Sequence, residues 1–102
     1  MPDPRVQSRP MPVIPLPDLI LYGRPGCHLC DDARAFVAQL LETRTRAGLA
    51  VPALVERNIE TDPAWQQAYF ETIPVVELGG RRIELATSPG RIRRLLSDVL
   101  DA

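Results

Sequence analysis

The chain has 102 residues, enough for one domain and too few for a second with its own core. Hydrophobic residues make up 45% and charged residues 25%, ordinary proportions for a globular protein. A formal net charge of −1, with no basic block, excludes the electrostatic footprint of a nucleic-acid binder.

Residues 1–18 carry Pro2, Pro4, Pro10, Pro12, Pro15 and Pro17. Each proline fixes its own φ, removes an amide donor and biases the preceding residue toward extended backbone. This stretch is expected to be an extended lead-in, and the domain is expected to span 19–102. The prolines also break up any apolar core of the signal-peptide type. No apolar run approaches the roughly 20 residues of a membrane helix. The expectation is a cytoplasmic protein with no membrane or nucleic-acid partner.

Leu19-Ile20-Leu21-Tyr22 is a short apolar run stopped by Gly23-Arg24-Pro25-Gly26, the pattern of a buried strand and a turn. A helical pattern follows, with Cys30, Ala33, Phe36, Val37, Leu40 and Leu41 on one face and Gly48 near its end. Val51 to Ile59 reads as a second strand. Asp62 and Pro63 open a short helix as cap and first-turn proline, and Trp65, Ala68 and Tyr69 follow at helical spacing. Trp65 and Tyr69 are expected to pack rather than to bind. The runs 74–78 and 81–85 flank Gly79-Gly80 and predict a hairpin. Ser88-Pro89 starts a last helix with Ile92, Leu95, Leu96, Val99 and Leu100 on one face. In that helix Arg91, rather than Arg93 or Arg94, is close enough to the preceding loop to meet an anion there. The order β-α-β-α-β-β-α implies an α/β fold, a mixed four-stranded sheet flanked by helices.

The chemistry lies in Cys27-His28-Leu29-Cys30. Cys27 ends the turn and begins the helix, where free amides and the helix dipole stabilise a thiolate. Cys30 comes nearly one turn later on the same side, close enough to bond the first sulfur. Cys27 is the expected nucleophile and Cys30 the resolving thiol. Arg24 adds positive charge for a thiolate or a substrate carboxylate. His28 adds more when protonated, and a histidine in the gap raises the oxidising power of such a pair. Asp31 and Asp32 act in the opposite sense. Two other readings stay open. A closed zinc site wants four ligands, and the chain has two Cys and one His, so no metal site within one chain is expected. Two chains bridged through Cys27 would instead supply thiolates to a metal or an iron–sulfur cluster. The second open reading is that the thiols are inert packing.

The run from Leu21 to Cys30, followed by Ile73-Pro74 before a hairpin, resembles the glutaredoxin-like group of the thioredoxin superfamily over about residues 18–100. That resemblance implies a thioredoxin-like, glutaredoxin-type fold. It implies a cis Pro74 facing the cysteines and a backbone at Ile73 that holds an extended thiol substrate by strand-like hydrogen bonds. It also sets Arg24 in the place of the lysine that meets a glutathione carboxylate. His28 and Leu29 stand where the usual motif has Pro and Tyr. The Gly-Gly and acidic pair that hold the far end of glutathione have no match in 84–90. The expected activity is thiol–disulfide exchange on a disulfide-containing protein or a low-molecular-weight thiol. The protein is expected to act as a monomer, requiring no cofactor and with glutathione or a protein as reductant.

Overall fold

The computed structural model describes residues 15–101. The expected lead-in therefore lies mostly outside the described residues. Residues 15–18 carry no regular structure, and β1 (Leu19–Gly23) begins where the apolar run begins. It is followed by α1 (His28–Arg46), β2 (Leu54–Asn58), a 3-10 turn (Ile59–Thr61), α2 (Pro63–Tyr69), β3 (Val75–Leu78), β4 (Arg81–Ile83) and α3 (Pro89–Leu100). The strands lie in the order β2-β1-β3-β4. The β1–β2 pair is parallel, and β1–β3 and β3–β4 are antiparallel. This is the mixed four-stranded sheet that the element order predicts.

Alternation along the strands divides the core in two. Leu19 and Leu21 of β1 and Val76 and Leu78 of β3 face α1 and α3. There they are buried with Ala33, Val37, Ile92, Leu95 and Leu96. Tyr22 and Val75, opposite each other in the β1–β3 register, face the other way. They form a smaller cluster with Ile59, Tyr69, Ile73 and Cys30, with Trp65 of α2 packed against it. The cysteine motif thus joins the sheet at the edge of the second cluster.

Element boundaries differ from the sequence expectation by a few residues, and three of the shifts have a clear local reason. β2 starts at Leu54 rather than Val51, since Pro52 has no amide for a ladder. Ile59 belongs to the 3-10 turn, whose cap is the Asn58 side chain accepting from the Glu60 amide (2.9 Å). β4 ends at Ile83 because the chain then turns away to pair elsewhere: the Leu85 amide donates to Thr72 O and the Ala86 amide to Pro74 O, both at 2.8 Å. Of the three α2 residues noted at helical spacing, Tyr69 is buried, Trp65 partly buried and Ala68 exposed. The Gly79-Gly80 turn is as expected. Both glycines have positive φ (57° and 79°), which a two-residue hairpin turn of the favoured hand requires.

Candidate active site

Cys27 is the N-cap of α1, with extended backbone (φ −100°, ψ 109°). Its carbonyl accepts the Asp31 amide at 3.0 Å and its Sγ accepts the Cys30 amide at 3.2 Å. A sulfur in that position takes one of the amide bonds that a helix start leaves unfilled, and anionic sulfur gains most from it. Cys27 and Cys30 are joined as a disulfide, with Cα atoms 5.2 Å apart. Their surroundings are unequal. Cys27 is half-buried, while Cys30 is 1% exposed and packed in the second cluster. An outside reagent therefore reaches Cys27 first.

Close packing against the strand end hides Cys30. A Cβ at Gly23 would lie 3.2 Å from both Cβ and Sγ of Cys30, so the absence of a side chain there lets the helix start settle onto β1. His28 and Leu29, between the cysteines, are both exposed. Arg24 is exposed in the turn and makes no salt bridge among the described residues.

Ile73 and Pro74 are buried, and the bond between them is cis. Ile73 shares its cluster with Cys30, and Cys27 packs on the same cluster. The backbone here is more committed than the resemblance implies. The Ile73 amide donates to Tyr69 O at 3.1 Å, and the carbonyls of Thr72 and Pro74 accept from Leu85 and Ala86. Among the described residues the Ile73 carbonyl has no such partner. Of the two Ile73 backbone groups, only the amide is committed within the fold.

The structure adds residues that the sequence reading passed over. A cleft of about 430 Å³ is lined by Gly23, Arg24, Cys30, Asp31, Arg34 and Glu56, among others. Arg34 bridges the two carboxylates. Its Nε donates to Glu56 and its Nη1 to Asp31 at 2.9 Å, and these bonds raise the guanidinium pKa above its ordinary value, Glu56 contributing most. On the other sheet face Arg57 lies over Tyr22 and Trp65, 5.6 and 5.0 Å from the ring centroids. It also donates to the Tyr22 hydroxyl at 3.0 Å. Burial, aided by Glu77, raises the Tyr22 pKa, and the Arg57 bond offsets part of that. Tyr69 packs on Tyr22 with centroids 4.5 Å apart and accepts from Arg82 at 2.8 Å. Trp65 and Tyr69 thus pack with Tyr22 and the guanidinium groups on one sheet face. Arg91 reaches the Glu84 and Leu85 carbonyls at 3.5 and 3.4 Å, so it ties down the loop that supports Thr72–Pro74. Among the described residues no group of three or more His, Cys, Asp or Glu side chains is placed to hold a metal.

Residues 18–99 match the family model described as Glutaredoxin-like domain (DUF836). The chain belongs to this glutaredoxin-like family. The family match spans every element from β1 into α3 and includes the whole cysteine site. The crystal structure of target protein XcR50 from X. campestris is 33% identical. The match covers 78% of this chain and 96% of that one, with a TM-score of 0.63. The solution structure of the same protein gives 33% identity over 79% and 94%, with a TM-score of 0.61. Protein Ne2328 from Nitrosomonas europaea is 24% identical over 71% and 78% of the two chains. Its TM-score is 0.50, and it shares the fold. No curated protein matches the sequence. The mixed α/β sheet read from the element order, and the glutaredoxin-type fold that the resemblance implies, are the fold found, and no helix among the described residues is long and apolar enough to cross a membrane.

Proposed function

We propose that this glutaredoxin-like protein is a thiol–disulfide oxidoreductase working in a reducing compartment such as the cytoplasm. The observation that carries the reading is the unequal pair. A half-buried Cys27 at a helix start accepts an amide hydrogen bond, and it is bonded to a Cys30 that solvent does not reach. In the reduced protein the Cys27 thiolate attacks a substrate disulfide and displaces one substrate thiol, leaving a mixed disulfide. Cys30 then attacks Cys27 Sγ, releases the second substrate thiol and closes the Cys27–Cys30 bond. Two electrons pass from the dithiol to the substrate.

The substrate is a disulfide-bearing protein or a low-molecular-weight disulfide, aligned by the Ile73 carbonyl beside buried Pro74. Arg24 meets an acidic group on it, and exposed His28 lies beside the nucleophile on the substrate-facing surface. The reaction requires no bound cofactor, and glutathione suits the role of reductant. The test is an equilibrium titration in glutathione redox buffers, with the state of both cysteines read by alkylation and mass spectrometry. A reversible two-electron Cys27–Cys30 couple between roughly −120 and −300 mV is expected. Thiols that never couple, or that only a bound metal protects, would remove the oxidoreductase reading and favour a metal or cluster carrier bridged through Cys27.

A further inference from the structure

The strand order β2-β1-β3-β4 leaves β4 at an edge of the sheet. The two-residue turn at Gly79-Gly80 makes Leu78 and Arg81 the hydrogen-bonded pair that closes the hairpin. Antiparallel ladders alternate, so Glu77 and Arg82 form a non-hydrogen-bonded pair and Val76 and Ile83 a bonded one. The amide and carbonyl of Arg82 therefore point away from β3, to the open side of the sheet. Among the described residues no backbone group outside the strands takes either of them.

The side chains beside this edge are rich in arginine. Leu78 lies in the core with α3, so Arg81, opposite it, stands on the α3 face, where it bridges Asp98 at 3.6 Å. Arg91 and Arg94, one turn apart on α3, line a hollow of about 160 Å³ together with Arg81 and Asp98. All three arginines are exposed, and neither Arg91 nor Arg94 makes a salt bridge among the described residues. Cationic groups thus outnumber the Asp98 carboxylate on that face. Arg82 lies on the other face, where it donates to the Tyr69 hydroxyl and shares the surface with Glu77 and Glu84.

We propose that the β4 edge is a docking site for an extended acidic segment of a partner protein, which adds to the sheet as a further strand. The central residue of that segment exchanges main-chain hydrogen bonds with the amide and carbonyl of Arg82. Its neighbours on either side then point to the α3 face, where their carboxylates meet Arg81, Arg91 and Arg94. The residue opposite Arg82 shares a face with Glu77 and Glu84, so a neutral side chain suits it. A second copy of this chain fits badly. Antiparallel pairing about Arg82 sets that arginine opposite its own twin, and like charges directly opposite repel. A nucleic acid fits badly as well, because phosphates take donors and leave the Arg82 carbonyl without a partner. Docking at this edge needs no reaction of the cysteines, so it stands apart from the dithiol reading.

The probe is a capped peptide of alternating Thr and Glu, titrated into the full chain while amide hydrogen exchange is followed by NMR. At saturating peptide the Arg82 amide is expected to exchange roughly 10-fold more slowly or better, with the Ile83 amide, already in the ladder, little changed. Arg81→Gln combined with Arg94→Gln is expected to weaken binding roughly 10-fold, the scale of two exposed ion pairs. Added salt should weaken it too. Absence of binding, unchanged affinity in the double variant, or equal binding of an alternating Thr and Lys peptide overturns the assignment. So does binding that leaves the Arg82 amide unprotected, which marks charge attraction alone. Oligothymidylate that binds as tightly as the peptide marks a polyanion patch and also overturns it. Arg82 protection that rises with protein concentration in the absence of peptide marks self-pairing, with the same consequence.

Discussion

At the scale of single residues, the site depends on which atoms are left out as much as on which are present. Gly23 has no side chain where Cys30 needs room, and its φ is not in the left-handed region, so the requirement there is space alone. Gly23→Ala would set a methyl 3.2 Å from Cys30 Cβ and Sγ, closer than packed carbon atoms comfortably sit. It is expected to cost about 1–2 kcal/mol, the usual scale for overfilling a packed core, as measured by urea denaturation of the oxidised protein. An unchanged midpoint would mean that the start of α1 is free to shift, and that the burial of Cys30 is not enforced by the strand.

At the scale of elements, the segment after β4 supports the site although it has no regular structure. Leu85 is the one non-glycine with positive φ among the described residues (48°), and its side chain is 48% exposed. The turn it makes lets the amides of Leu85 and Ala86 reach the carbonyls of Thr72 and Pro74, which fixes the strip that carries the Ile73 carbonyl. A leucine pays for that conformation in steric strain, whereas asparagine adopts it readily. Leu85→Asn is therefore expected to raise stability by roughly 0.5–1 kcal/mol, read from denaturant midpoints, with the disulfide chemistry unchanged. A loss of stability would mean that the exposed side chain contributes packing that outweighs the strain.

At the scale of the whole molecule, the end of the fold far from α1's first turn is closed by a buried arginine. Arg44, 6% exposed, donates through Nε to the Ala50 carbonyl at 2.6 Å and through both terminal nitrogens to Asp101 at 3.1 and 2.5 Å. It links the end of α1, the entry to β2 and the end of α3. The hydrogen bond from Arg44 holds the Asp101 carboxyl below its ordinary pKa. A folded state that binds a proton less tightly than the unfolded chain is stabilised above the ordinary Asp range, about 3.9, and loses that gain as pH falls through the depressed folded value. Asp101→Asn should therefore be less stable than the unaltered protein at neutral pH. It should also show a shallower loss as pH falls below about 4, in urea titrations across a pH series. Parallel curves would show that Asp101 carries none of the acid sensitivity.

Much of this was legible in the amino-acid sequence, because it follows from short-range rules. The cysteine spacing at a helix start, the caps at Asp62 and Ser88, the Gly79-Gly80 hairpin and the apolar faces of α1 and α3 each involve residues within a few positions of one another. Ion pairs and committed amides across the fold were not legible, since no local pattern says which strand residue will stand beside which. Arg34 and Glu56 are 22 positions apart and meet through the parallel β1–β2 register. Arg44 and Asp101 are 57 positions apart, and an arginine on a helix otherwise reads as a solvated one. The Ile73 amide turned back to Tyr69 because the short helix α2 ends there with unfilled carbonyls. The sequence by itself thus determined the fold class, through periodicity and turn signals, and singled out by spacing the two cysteines that the structure joins. Only the tertiary structure decided which cysteine is shielded, which backbone amides are committed and which strand carboxylate pairs with Arg34, because each depends on contacts between segments distant along the chain.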